Sequence, residues 1–146
     1  MEGVIVTPLK KIIGEKGNVM HALKSSDAEF HSFGEAYFTT IEKGMIKGWK
    51  KHHKMILNLV VVSGKIRFVI FDDRAGSSSI GTYFEITLSS LDYYGRLTVH
   101  PGLWVAFEGL GEDQNILLNL ASIEHDPAEA ENCLTASGKI RFPIID

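Results

Sequence analysis

The sequence predicts a single all-β domain. Three observations predict it. Short runs rich in β-branched and aromatic residues recur at close spacing. Turns built from Gly, Ser, Asp and Pro separate them. No segment carries the helical period of a long amphipathic helix. A length of 146 residues fits one domain spanning residues 1–146. Hydrophobic residues make up 45% of the chain, with eight Phe, four Tyr and two Trp, enough to fill one core.

The elements follow in order. Residues 34–41 are rich in aromatic and β-branched side chains and stop at the turn Glu42-Lys43-Gly44. Residues 56–62 are apolar enough to be a strand buried on both faces. Ser63-Gly64-Lys65 reads as a hairpin turn, which makes residues 66–71 the antiparallel neighbour of 56–62. Residues 72–81, dominated by Gly, Ser and Asp, read as a loop. Strands are expected at 83–88 and 96–100, the second ending at Pro101-Gly102, and then at 103–107 and 115–123. The one helix candidate is 127–133, with Asp126 as its cap and Pro127 at its first position. Short strands of this kind suit a sandwich, a jelly roll or a barrel, and periodicity does not choose among them.

Composition excludes several classes. No apolar run approaches the length that spans a membrane, and residues 1–6 lack the pattern of a signal peptide. A single cysteine, Cys133, forms no intrachain disulfide and suits a reducing, cytoplasmic setting. A net charge of −3 argues against a general nucleic-acid binder. No phosphate loop, nucleophile elbow or dinucleotide fingerprint is present.

The charge is uneven. Lys47, Lys50, Lys51, His52, His53 and Lys54 fall within eight positions that hold no acid, directly before the most apolar strand. Strict alternation puts Lys47, Trp49, Lys51 and His53 on one face and Lys50, His52 and Lys54 on the other. Inward-facing cations suit an anionic ligand, because burying them alone is costly. The alternative is a solvated edge strand whose lysines discourage aggregation. His52 and His53, as strand neighbours, point apart and cannot share one ion. No carboxylate follows at useful spacing, and one Cys makes no thiolate zinc site. The expectation is therefore no metal.

Five segments resemble the family of dTDP-4-dehydrorhamnose 3,5-epimerases and the related dTDP-sugar 3,4-ketoisomerases, in the family's order. They are Glu15-Lys16-Gly17, Gly44-Met45-Ile46-Lys47-Gly48-Trp49, the stretch from Ser63-Gly64 to Asp72-Asp73-Arg74, the turn His100-Pro101-Gly102 with its flanks, and the late segment His125 to Glu131. The resemblance implies a cupin-type double-stranded β-helix, or jelly-roll barrel, usually dimeric. It implies proton transfer beside the ketone of a nucleotide-linked 4-keto-6-deoxy sugar, with no metal or organic cofactor.

The resemblance also implies roles. His52 matches the second ketoisomerase histidine and is the expected base. Lys50 stands where the epimerases carry their catalytic His, and is the expected enolate stabiliser. Tyr37 or His125 is the expected acid. Lys16 and Lys47 are expected at the phosphates, Trp49 and Trp104 at the base or sugar, and His53 and Asn58 at the substrate. Loss of that epimerase His opens a second reading, a non-catalytic module that binds a sugar nucleotide.

Overall fold

The computed structural model describes residues 1–144. Twelve strands run in chain order. The first six are β1 (Val4–Pro8), β2 (Lys11–Ile12), β3 (Val19–Met20), β4 (Glu35–Ile41), β5 (Ile46–His52) and β6 (Leu57–Ser63). The rest are β7 (Lys65–Asp72), β8 (Tyr83–Ser89), β9 (Gly95–Val99), β10 (Leu103–Gly109), β11 (Asn115–Ala121) and β12 (Ala130–Asn132). Two five-stranded antiparallel sheets form, ordered β1-β9-β6-β11-β4 and β12-β5-β10-β7-β8, with β2 and β3 as a separate ribbon. The expected all-β jelly roll is what the chain adopts.

The sheets face each other across one apolar core. Leu57, Leu59, Val61, Leu97, Val99 and Leu117 enter it from the first sheet, and Ile66, Phe68, Ile70, Leu88, Leu103 and Val105 from the second. Each fully buried aliphatic side chain contributes about 1.5–3 kcal/mol relative to exposure.

Two expectations are corrected. Residues 56–62 and 66–71 are not neighbours in a sheet. β6 pairs with β9 and β11, whereas β7 pairs with β10 and β8. The two strands belong to different sheets on either side of the core. Gly64, at a φ of 75°, turns the chain from one sheet to the other rather than back along itself. Asn115 holds that corner. Its Oδ1 accepts from the amides of Lys65 and Gly111, both at 2.9 Å, and its Nδ2 donates to the Ile41 carbonyl. A side chain at position 64 would put its Cβ 2.4 Å from Asn115 Oδ1. Apolarity on both faces therefore reports burial, and does not name the hydrogen-bonded partner.

The helix expected at 127–133 is a single 3-10 turn over Pro127–Glu129, followed by β12. Asp126 caps it as expected, its carboxylate accepting from the Ala128 amide at 2.9 Å. The turn ends because the chain joins the second sheet. Ala130, Glu131 and Asn132 pair with His52, Lys51 and Lys50. Strand β1, absent from the sequence expectations, pairs along β9.

Candidate active site

The site begins with an irregularity in β5. Lys51 and Lys50 pair with Trp104 and Val105 of β10, but Lys47 pairs with Phe107. Gly48 and Trp49 thus both stand opposite Ala106, as in a β-bulge. Position 48 has a φ of 135°, and a Cβ there would lie 2.6–2.8 Å from Ala106 and the Val105 carbonyl. Only glycine fits. The extra residue reverses the alternation, so Lys47 joins Lys50 and His52 on the inward face instead of sharing a face with Trp49. This corrects the strict alternation read from the sequence.

These inward residues line a cavity of about 310 Å³ between the sheets. Lys47, Lys50 and His52 line it from β5, Tyr37 and Thr39 from β4, and Asn119 from β11. Leu57, Leu59, Val105, Phe107 and Leu117 supply apolar wall. Apolar walls with a few convergent polar groups are the usual make-up of a small-molecule site.

His52 is buried, and its Nδ1 bonds the carboxylate of buried Glu129. The other Glu129 oxygen accepts from the backbone amides of His53, Lys54 and Met55 at 3.0–3.3 Å. Burial holds the His52 pKa below the ordinary imidazole value, against the opposing pull of Glu129, with Lys50 and His125 adding to the depression. Burial acts to raise the pKa of Glu129, but the bond to His52 and the Lys54 and Met55 amides outweigh it and leave it lowered. The two directions agree on one state, in which a neutral imidazole donates Nδ1–H to an ionised carboxylate. Nε2 is then a free acceptor.

Across the cavity, Asn119 Nδ2 donates to the Tyr37 hydroxyl at 2.8 Å. The Lys47 ammonium donates to the Thr40 carbonyl at 2.7 Å, beside the cavity.

Of the remaining residues expected at a site, Trp49 borders this cavity and the others lie elsewhere. Trp49 faces outward into a second cluster with Val69, Trp104, Ala106 and Ile140, its indole donating to the Ile140 carbonyl at 3.1 Å. Trp104 is on that outer face too, under the Lys51 ammonium at 4.7 Å and donating to Asp73. Both indoles are packed in this cluster, and Trp49 also borders the cavity whereas Trp104 does not. His53 points outward, 3.4 Å from Glu131, as the alternation requires. Asn58 sits on the far face of β6, where Thr98 donates to it at 2.7 Å; its neighbours Leu57 and Leu59 take the inward positions. Lys16 is exposed in the β2–β3 turn, outside the cavity lining. His125 is exposed ahead of the 3-10 turn and outside the lining as well, though close enough to influence His52.

Sequence reasoning missed Glu129 and Asn119. Four acids, Glu124, Asp126, Glu129 and Glu131, crowd the late segment. Only the pairing of β12 beside β5 turns Glu129 inward. Asn119 had a usable signal, as a polar residue set between Leu117, Leu118 and Leu120 at an inward position of β11. Among the described residues no group of three His, Cys, Asp or Glu is placed to hold a metal ion. Nor is any helix among them long and apolar enough to cross a membrane.

Solved structures resemble the whole chain. A dTDP-sugar isomerase from Desulfovibrio desulfuricans G20 is 31% identical, with 97% of this chain and 90% of that one covered and a TM-score of 0.93. A sugar 3,4-ketoisomerase from Thermoanaerobacterium thermosaccharolyticum, solved in complex with TDP, is 20% identical, covering 90% and 88%, at a TM-score of 0.74. A 3'-monoepimerase from Streptomyces bikiniensis, solved in complex with dTDP-quinovose, is 20% identical, covering 97% and 76%, at 0.84. At 20% identity the last two speak to the fold alone. No protein-family model and no curated protein matches the chain.

Proposed function

Because the chain belongs to the dTDP-sugar isomerase family, the cupin-like epimerases and ketoisomerases, we propose that it epimerises or isomerises a dTDP-linked 4-keto-6-deoxy sugar. The observation that carries this is the buried His52–Glu129 pair facing a cavity that also holds Lys50 and Lys47. A module that only binds needs no oriented, neutral imidazole.

In the proposed mechanism His52 Nε2 takes the proton from the carbon beside the ketone. The C–H electron pair becomes the new C=C bond, and the carbonyl pair moves onto oxygen. The Lys50 ammonium stabilises that oxyanion, and the Tyr37 hydroxyl can donate to it. The Tyr37 hydroxyl then gives its proton to the same carbon from the opposite face, which epimerises it, and the phenolate regains a proton from solvent as His52 loses its own. Alternatively the proton held by His52 goes to the former carbonyl carbon while the neighbouring hydroxyl passes its own proton to the oxyanion, and the ketone migrates. Glu129 touches no reacting atom; it is a positioning residue that fixes the tautomer and orientation of His52. Lys47 meets the diphosphate at the cavity. Every step uses side-chain acid–base chemistry, with no call on a metal or organic cofactor.

The protein is proposed to act as a cytoplasmic homodimer. On the outer face of the first sheet Phe38 is exposed beside Leu118, its partner in register. An apolar stripe of this kind suits cover by a second copy, and light scattering on the purified protein measures the mass.

The test is solvent deuterium incorporation into dTDP-4-keto-6-deoxyglucose. Incorporation is expected in wild type and is lost in His52→Asn. Binding of dTDP with no exchange on any 4-keto sugar hands the case to the non-catalytic binding module.

A further inference from the structure

Asn119 is one of the few polar residues buried on the inner face of the first sheet, with only 3% of its surface exposed. Its Nδ2 is used by the Tyr37 hydroxyl. Its Oδ1 has no hydrogen-bond partner among the described residues, although it belongs to a residue that lines the cavity. A buried amide oxygen left unpaired is costly, and native proteins rarely keep one without a use. The side chains flanking it in the lining, Leu59 and Leu117, offer no donor.

The partner of this oxygen must therefore come with the ligand. An amide oxygen only accepts, so the ligand must donate. Lys47 on β5 draws the anionic diphosphate to its end of the cavity. The sugar is what remains to reach Asn119, and its hydroxyls are the donors that a neutral keto-hexose carries. The same pairing arranges Tyr37. Its hydroxyl oxygen already accepts from Asn119, so its own O–H is free for an acceptor in the cavity. Together the two side chains present one acceptor and one donor, side by side on paired strands, which matches a hydroxyl next to a carbonyl.

We infer that Asn119 is a specificity-determining residue, which accepts a hydrogen bond from a sugar hydroxyl while holding Tyr37 as a donor to the neighbouring ketone oxygen. This inference rests on the reading of the cavity as a sugar-nucleotide site. Sites built to bond a hydroxyl discriminate strongly, because a ligand without it leaves the protein group unpaired.

Calorimetric titration of dTDP and of dTDP-4-keto-6-deoxyglucose into wild type, Asn119→Leu and Asn119→Ala tests it. The affinity for dTDP should stay within about twofold, while that for the keto sugar falls roughly 10- to 100-fold. Tyr37→Phe should reproduce part of this selective loss. The double variant Asn119→Ala/Tyr37→Phe should lose less than the sum of the singles, since the pair acts as a unit. Unchanged sugar affinity in the Asn119 variants overturns the inference, and so does an equal loss for both ligands, which marks a structural role. If neither Asn119 variant folds, Tyr37→Phe carries the test, and an unchanged ratio of the two affinities then sinks it. Wild type that binds neither ligand fails earlier, and removes the sugar-nucleotide reading together with this one.

Discussion

The imidazole of His52 and the carboxylate of Glu129 meet in a buried hydrogen bond across 77 positions of sequence. The bond exists because β12 lies against β5, with Ala130 opposite His52. A one-residue slip of β12 would turn the carboxylate outward. The register of a three-residue strand thus sets the tautomer of the proposed base.

Glu129→Gln keeps the shape and removes the charge. Its amide no longer favours the Nδ1–H tautomer that leaves Nε2 free. Deuterium exchange into the keto sugar is expected to drop about 10²- to 10⁴-fold, with dTDP affinity within about twofold of wild type. Exchange at the wild-type rate would show that His52 needs no orienting partner.

The pH profile follows from the direction of the His52 shift. Burial lowers its pKa, so the neutral, proton-accepting form persists below the usual imidazole midpoint of about 6.5. The acid limb of the kcat/KM profile, which reports the free enzyme, is expected to have its midpoint below pH 6.5. In Glu129→Gln the one influence that raises this pKa is lost, so the residual activity should show an acid limb at still lower pH. An acid limb above pH 7 in wild type would contradict both.

Gly48→Ala addresses the bulge. The new methyl would overlap Ala106 and the Val105 carbonyl in a backbone conformation that L side chains avoid. Destabilisation of about 2 kcal/mol or more is expected from strain and clash, read from urea unfolding. Relief of the clash would move Lys47 off the inward face, so dTDP binding to the folded fraction should weaken and lose part of its salt dependence. A variant as stable as wild type would mean that the bulge is not enforced by position 48.

Asp72 is fully buried and accepts from Arg74, Ser77 and Ser79. The Arg74 guanidinium, above all, holds its carboxyl far below the ordinary carboxylate range. A lowered folded pKa means that its stabilisation is present above the unfolded value of about 3.9 and is lost as pH falls. Asp72→Asn is expected to cost about 3 kcal/mol at pH 7 and to flatten the fall of Tm below pH 4. An equally steep acid fall in the variant would place the acid sensitivity elsewhere.

The strands were legible because a pleated ladder writes itself as alternation and turn residues, and the seven expected ranges coincide with β4 and β6 to β11. Their partners were not. Residues 56–62 and 66–71 looked like a hairpin since a turn joins two apolar runs, yet nothing local distinguishes a reversal within a sheet from a step between sheets. That distinction rests on Asn115, 50 positions from Lys65 in the sequence. The inward face of β5 was half legible. Lys50 and His52 followed from alternation, but the placement of Lys47 depended on a bulge that needs the backbone of β10 to see. Trp49 and Trp104 read as core by default with stacking on the ligand as the alternative, and the C-terminal segment packs Trp49 while leaving it at the border of the cavity.

The step at Gly64 also bears on how the chain finds its structure. With β6 and β7 in different sheets, only the β7–β8 and β2–β3 pairs join consecutive strands. Every other ladder waits on segments distant in sequence, β1 on β9 and β4 on β11 among them. Closing such loops costs entropy before any contact repays it. Folding should therefore be slow for a chain of this size, on the millisecond-to-second scale of non-local β topologies. During that wait Leu59-Val60-Val61-Val62 has no local partner to cover it. This apolar run is the segment through which partly folded copies would associate, so dilution and low temperature should favour recovery on refolding.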